Sequence, residues 1–481
     1  MNLSQLLMEQ ANGPGEAVVE GTERLSYPEL VRRSRGVAAG LDIEPGDRVA
    51  ILLPNGWRYA VAYFGIQLAG GIAVLVNARL AAPEIAHVLT DSGARLVITD
   101  DTFVERLPAD AQWRPLDSLL HEHPLPMIAG LERAPDDVAN LLYTSGTTGV
   151  PKGAMQTHAN LLFNARCVRE RIGVTAADRT LVVAPLFHAT GINSQLIGFM
   201  SAGACCVLVP AFVADTISRT LADEKITVFA GVPAMLRLIL ARDRSADLST
   251  LRLFAMGGAP VPESFPAEIA QRLPELRLAN VWGLTEATSI VTYTGGADYR
   301  ANPGTVGRPV SGLEVAISRD GDAPADLRDV IGELCVRGPA VTAGYWGKPH
   351  ATLATFVDGW LHTGDVGSVD SLGYVRVLDR IKDMIIRGGE NIYSLEVETA
   401  LATHPGVADV AVVGVPDPIF DERVRAVIVP LGDPPDVDDL RRHAAELLAD
   451  FKVPAEFRFV TELPRNPSGK VLKRRLHDLA G

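Results

Sequence analysis

The stretch GDRVAILLPNGWRYAVAYFGIQLAGGIAVLVNARLAAPEIAHVLTDSGARLVITD, residues 46–100, alternates two hydrophobic periods. The runs VAILLP (49–54), GIAVLV (71–76) and ARLVIT (94–99) are short and almost wholly apolar, as buried strands are. Between them WRYAVAYFGIQLAG and APEIAHVLTDSG carry helical spacing. A βαβαβ succession predicts a parallel sheet covered by helices. The rhythm returns at RTLVVAPL (179–186), ACCVLVP (204–210), ITVFAGVP (226–233) and LRLFAMGG (251–258). Each of those strands ends in a Pro- or Gly-marked turn, where ligands of α/β folds usually bind.

Outward from this core the texture changes. From about Thr305, GRPVSGLEVAISRD, GELCVRGPAV and GYVRVLDR read as shorter strands with frequent turns, a β-rich portion. From near Asp383 a helix (SLEVETALATH), strands (VADVAVVGVP and RVRAVIVP), a second helix (DDLRRHAAELLAD) and a basic tail suggest a small α+β domain. The expected fold is therefore α/β, with a large domain over residues 1–381 and a small one over 382–481. No repeat or low-complexity linker separates them, which leaves a short hinge.

Composition agrees with this plan. At 481 residues the chain exceeds one compact core. Hydrophobic residues at 47% and charged residues at 21% exclude wholesale disorder. A formal charge of −13 argues against a nucleic-acid surface. Cys167, Cys205, Cys206 and Cys335 form neither a CxxC pair nor a zinc spacing and read as reduced thiols. No signal peptide is visible, and no run approaches the ~20 apolar residues of a membrane span. The expectation is a soluble, cytoplasmic protein.

The densest local signal is LLYTSGTTGVPKG (141–153). Gly146 and Gly149 let backbone N–H groups converge on an anion, Thr144, Ser145, Thr147 and Thr148 add hydroxyl donors, and Lys152 adds a point charge. Gly153 after Lys152 rules out a Walker A loop. The loop is expected between a strand and a helix starting near His158.

YTSGTTGVPKGAM resembles the signature of the adenylate-forming superfamily, which includes acyl-CoA synthetases, firefly-type luciferases and peptide-synthetase adenylation domains. Further motifs follow in the order the resemblance requires. PLFHATG (185–191) is similar to the family's aromatic-histidine motif, with His188 bordering the acyl pocket. GGAPV (257–261) resembles the adenine-binding segment, giving Gly258, Ala259 and Pro260. VWGLTE (281–286) resembles the next motif, with Trp282 in place of the usual tyrosine to stack on adenine, Gly283 beside it, Thr285 on phosphate or carboxylate oxygen, and Glu286 on Mg²⁺. WLHTGD (360–365) resembles the ribose motif, so Asp365, supported by Arg380, would accept the ribose hydroxyls. Lys382 falls at the family's hinge.

RGGEN (387–391) resembles the loop lining the pantetheine tunnel, giving Arg387, Gly388, Gly389 and Glu390 for CoA. Two departures fall nearby: Ser394 stands after Tyr393 where proline is usual, and Asp421 stands where many relatives carry glycine. PRNPSGK (464–470) matches the final motif, with Lys470 as the adenylation lysine. The resemblance implies ATP, Mg²⁺ and CoA as cofactors, Thr148, His188, Glu286 and Lys470 as catalytic groups, and a mobile C-terminal domain. It implies an acyl-CoA synthetase. The competing readings are an adenylating enzyme that stops at acyl-AMP or loads a carrier-protein thiol, a luciferase-like oxygenase, and a non-catalytic nucleotide-binding module.

His188, Ala189, Val232, Gly257 and Gly283 would line the acyl pocket. The set is small and mostly apolar, and no arginine follows the His188 motif to pair a second carboxylate. An aliphatic, alicyclic or aromatic monocarboxylate is expected.

Overall fold

A computed structural model of the chain describes residues 1–120, 133–145, 150–242, 247–259, 261, 264–319, 321–465 and 471–477. The three opening runs form strands Arg48–Leu52, Ile72–Leu75 and Leu96–Thr99, all parallel, with the first between the other two. They belong to a six-stranded sheet completed by Trp113–Pro115, Val138–Ser145 and Pro151–Thr157. Helix Ala82–Ser92 ends where Gly93 adopts φ 62°, a left-handed cap that a Cβ would strain.

Helix Trp57–Leu68 has ten successive buried residues, Tyr59 to Leu68. A helix apolar on every side must be enclosed. This one meets strands Arg48–Leu52 and Ile72–Leu75 on one side and Glu16–Glu20 of a second sheet on the other. Each large side chain so enclosed, such as Tyr59, Tyr63 or Phe64, contributes roughly 1.5–3 kcal/mol. The sandwiched helix thereby welds the two sheets into one large domain.

The second sheet has nine strands. At its centre Arg179–Val182, Val228–Gly231, Leu253–Gly257 and Arg277–Trp282 run parallel in that spatial order. The β-rich portion is a five-stranded antiparallel sheet holding Glu314–Ser318, Ile331–Arg337, Phe356–Val357, Trp360–Val369 and Val375–Arg380.

The C-terminal unit has its own sheet, in which Asp421–Pro430 pairs with Ile385–Arg387, Val407–Asp417 and Glu456–Phe459. Its core gathers Ile385, Val397, Leu401, Val412, Ile428 and Leu440 from that sheet and from helices Ser394–Leu401 and Val437–Leu447. The chain is thus a mixed α/β protein with a large N-terminal domain and a smaller C-terminal one. Among the described residues, no helix is long and apolar enough to cross a membrane.

Candidate active site

The glycine-rich loop corrects one expectation. It does not lead directly into the helix at His158, because strand Pro151–Thr157 intervenes and pairs antiparallel with Val138–Ser145. The loop is therefore flanked by two paired antiparallel strands. Register sets Thr144 opposite Lys152, so the hydroxyl and the cation share one rung. Gly146, Thr147, Thr148, Gly149 and the Ser145 side chain lie outside the described residues, as do Pro260 and Lys470.

Glu286 comes to this hairpin from the other sheet. It sits in the short turn Thr285–Ala287 after strand Arg277–Trp282. Thr144 Oγ1 donates to Glu286 Oε1 at 3.2 Å, and the Tyr345 hydroxyl donates to the same oxygen at 3.0 Å. Lys152 Nζ lies 5.2 Å from the Tyr345 ring centroid, within cation–π range. Tyr345 reaches this place through a bridge with Ala154. Burial and the Glu286 charge hold its phenol well above the ordinary range, so it remains a donor. Sequence reading missed Tyr345, whose one signal is an aromatic after a glycine in GYWGK (344–348). The donor set suits Mg²⁺: Glu286 is a hard oxygen ligand, and both described hydrogen bonds fall on Oε1. Thr285 lends its backbone carbonyl to Gln156 Nε2 at 3.2 Å.

Asp365 and Arg380 are direct cross-strand partners, with Arg380 Nε 3.1 Å from Asp365 Oδ1. The other oxygen, Oδ2, accepts the Trp282 indole N–H at 2.9 Å. The turn ahead of Asp365 is fixed by Glu333, whose Oε1 accepts Gly364 N at 2.9 Å while Oε2 meets His362 Nδ1 at 2.7 Å. Gly364 has φ 71°, which explains the glycine in the LHTGD turn (361–365). Cys335 stands opposite His362 across the same strands, and burial pushes its thiol up to about 12. Glu333, Cys335 and His362 bring metal-type donor atoms within 4.8 Å, but the Glu333 carboxylate is already engaged in holding the turn.

The five residues expected to line the acyl pocket share one end of the nine-stranded sheet. His188 and Ala189 follow strand Arg179–Val182, Val232 follows Val228–Gly231, Gly257 ends Leu253–Gly257, and Gly283 follows Arg277–Trp282. Because these four strands are adjacent and parallel, their carboxyl ends converge. A Cβ on Gly257 would lie 3.0 Å from Val281 O, and one on Gly283 only 1.4 Å from Ser289 O. Gly258, at φ 74°, and Ala259 continue from the same strand end. His188 Nδ1 accepts Thr190 N at 3.3 Å.

In the C-terminal domain Arg387 faces Glu390 across a two-residue hairpin, with Gly388 at φ 58° and Gly389 at φ 87°. Both central residues have positive φ, as a type I′ turn demands. The loop is exposed, with the Arg387 guanidinium 5.0 Å over the Phe420 ring and its Nη1 donating to Phe451 O at 2.9 Å. Lys382 is exposed in the turn Ile381–Asp383.

The structure thus brings together the Asp365–Arg380 pair, the Thr144–Lys152 rung beside Glu286, and the carboxyl ends of four parallel strands. The family model of the AMP-binding enzymes matches residues 8–346, and that of the AMP-binding enzyme C-terminal domain matches residues 396–470. The chain belongs to this AMP-binding, adenylate-forming family and is an acid–thiol ligase. A feruloyl-CoA synthase of an Amycolatopsis species is 42% identical over 473 residues, spanning 95% of this chain and 94% of the relative. The fatty acid–acyl-carrier-protein ligase of Streptomyces coeruleorubidus is 37% identical, over 94% of this chain and 91% of its own. The o-succinylbenzoate CoA synthetase of Bacillus subtilis, solved with its acyl-adenylate intermediate, superposes with a TM-score of 0.90 at 33% identity, over 99% and 98% of the two chains.

Proposed function

We propose that the chain activates an apolar monocarboxylic acid as acyl-AMP and then transfers the acyl group to CoA. The observation that carries this reading is the Thr144–Glu286 hydrogen bond, which joins the phosphate hairpin to the metal-type carboxylate. A carboxylate is a poor acyl donor because oxide is a poor leaving group. Its oxygen attacks the α-phosphorus of ATP, pyrophosphate departs, and the acyl carbon then carries AMP as a good leaving group.

No side-chain nucleophile is needed, so positioning and charge neutralisation supply the catalysis. Thr144, Ser145, Gly146, Thr147, Thr148, Gly149 and Lys152 hold the departing pyrophosphate. Asp365 and Arg380 hold the ribose; Gly258, Ala259, Pro260 and Trp282 hold the adenine. Thr285 bonds a phosphate or carboxylate oxygen, and Lys470 neutralises charge at the reacting centre. Mg²⁺, when bound through Glu286, offsets phosphate charge. In the second step the CoA thiolate attacks the acyl carbon and AMP leaves. This requires Lys470 to withdraw as the 382–481 domain turns about Lys382 and brings Arg387–Glu390 towards the acyl carbon.

The pocket formed by His188, Ala189, Val232, Gly257 and Gly283 suits an aliphatic or aromatic acid, and the feruloyl-CoA synthase relative supports an aromatic one. Cytoplasmic residence fits four buried, unbridged cysteines. Transfer to a carrier protein is the second reading, favoured by the acyl-carrier-protein ligase relative and by the departures at Ser394 and Asp421. The deciding experiment incubates the protein with ATP, Mg²⁺ and a panel of acids, with CoA, with carrier protein, or with neither, and reads products by mass spectrometry. Acyl-CoA that requires both ATP and CoA is expected. Acyl-AMP that loads only carrier protein would overturn the CoA assignment.

A further inference from the structure

The contact between Trp282 and Asp365 joins the nine-stranded sheet to the five-stranded antiparallel one. Trp282 is the last residue of strand Arg277–Trp282, pinned by pairing with Thr292 and by Val291 N donating to its carbonyl at 2.9 Å. Asp365 lies in strand Trp360–Val369 of the antiparallel sheet. Both residues are buried, at 8% and 5% exposure, so the bond between them is shielded from water. An indole N–H has no acceptor role, and a buried one must find a partner. Here that partner is an ionisable carboxylate whose other oxygen is held by Arg380.

We propose that Trp282 is a positioning residue: its indole N–H fixes the Asp365 carboxylate in the orientation that receives the ribose hydroxyls. The inference rests on the assignment of Asp365 to the ribose and extends it to a residue that the aromatic-stacking role alone does not explain. A carboxylate offers about four lone-pair directions. With one direction on Oδ2 taken by the Trp282 N–H and Oδ1 ion-paired to Arg380 at 3.1 Å, the side chain is held in place and its remaining lone pairs are left for the sugar hydroxyls. A phenylalanine at this position would keep an apolar face for adenine and lose the clamp. Trp282 thereby contributes to discrimination between ribose and deoxyribose, and not only to affinity for the base.

Calorimetry on the full-length enzyme with AMP, 2′-deoxy-AMP and 3′-deoxy-AMP tests this without knowledge of the acid. Trp282→Phe is expected to weaken AMP by ~10-fold, the scale of a hydrogen bond to a charged group, and to shrink the AMP-to-deoxy-AMP affinity ratio. Benzothienylalanine at position 282 keeps the size and face of tryptophan and deletes only the donor; it should reproduce the loss even if the phenylalanine variant folds poorly. An unchanged ratio in both variants would overturn the proposal, whatever happens to absolute affinity. Asp365→Asn separates the two layers. If it collapses the ratio while the Trp282 variants do not, the clamp alone fails. If it leaves the ratio intact, or if the wild type binds no AMP, the ribose assignment fails with it.

Discussion

The Tyr345 hydroxyl donates to Glu286 Oε1 at 3.0 Å while its ring faces Lys152 Nζ at 5.2 Å. One aromatic side chain thus touches the metal-type carboxylate and the phosphate-loop cation at once. Glu286→Gln should leave the fold intact and lower acid-dependent pyrophosphate release by ~10²-fold or more, because a neutral amide offsets no cationic charge. Tyr345→Phe removes one hydrogen bond and should cost about 1 kcal/mol, a several-fold rise in KM for MgATP with a smaller change in kcat. Equal loss in the two variants would mean that Tyr345 does more than orient Glu286.

At Gly283 the backbone is packed against Ser289 O so closely that a Cβ would lie 1.4 Å away. Ser289 itself has φ 136°, a conformation L residues rarely adopt. Gly283→Ala should lower the unfolding free energy by about 2–3 kcal/mol in urea titration and depress adenylation more than binding of AMP.

A second relationship lies close to Lys382. Ser394, first residue of helix Ser394–Leu401, donates its backbone N–H to Asp379 Oδ2, a carboxyl that burial raises above its ordinary range. Proline, usual at this position in the resembling family, has no such donor, yet it suits the first turn of a helix. Ser394→Pro should keep the helix and cost about 1–3 kcal/mol through the lost bond to the buried Asp379 Oδ2, read by thermal melting. Lys382→Pro should reduce acyl-CoA formation by ~10-fold or more while pyrophosphate release stays within about twofold. Parallel loss of both half-reactions would contradict the hinge at Lys382.

Asp421 sits at φ 65°, a conformation that favours glycine. Asp421→Gly should therefore stabilise the C-terminal domain by up to about 1 kcal/mol, whereas the β-branched Asp421→Val should destabilise it by about 1–3 kcal/mol. Differential scanning calorimetry distinguishes the two directions.

His158 opens helix His158–Cys167 and is 2% exposed, its Nδ1 accepting Leu3 N at 3.4 Å. Burial, reinforced by the Arg133 charge, pushes its pKa down to about 4 from 6.5. Between pH 6.5 and 4 the unfolded chain binds a proton that the folded chain does not. Its contribution is fully present above pH 6.5 and is lost as pH falls towards 4, a change of about 3 kcal/mol. His158→Gln should flatten that part of the pH–stability curve in urea titrations. A curve unchanged by the substitution would assign the slope to other groups.

Much of the molecule is legible in the sequence because burial repeats locally. The short apolar runs and helical spacings of 46–100 mark the parallel strands and their helices, and Gly388–Gly389 encode a tight hairpin through their permitted positive φ. The motifs around Thr144, Glu286 and Asp365 name the chemistry. The sequence by itself also determined that His188, Val232 and Gly257 fall at or after strand-like runs. Only the tertiary structure decided that these runs are adjacent and parallel, so that their ends meet. It alone paired the two strands that flank the phosphate loop, set Tyr345 beside Glu286, and turned the Trp282 N–H onto Asp365. The reason is physical: hydrophobic periodicity records which face of an element is buried, whereas a side chain's partner depends on sheet order and register, which bring together residues far apart in the chain.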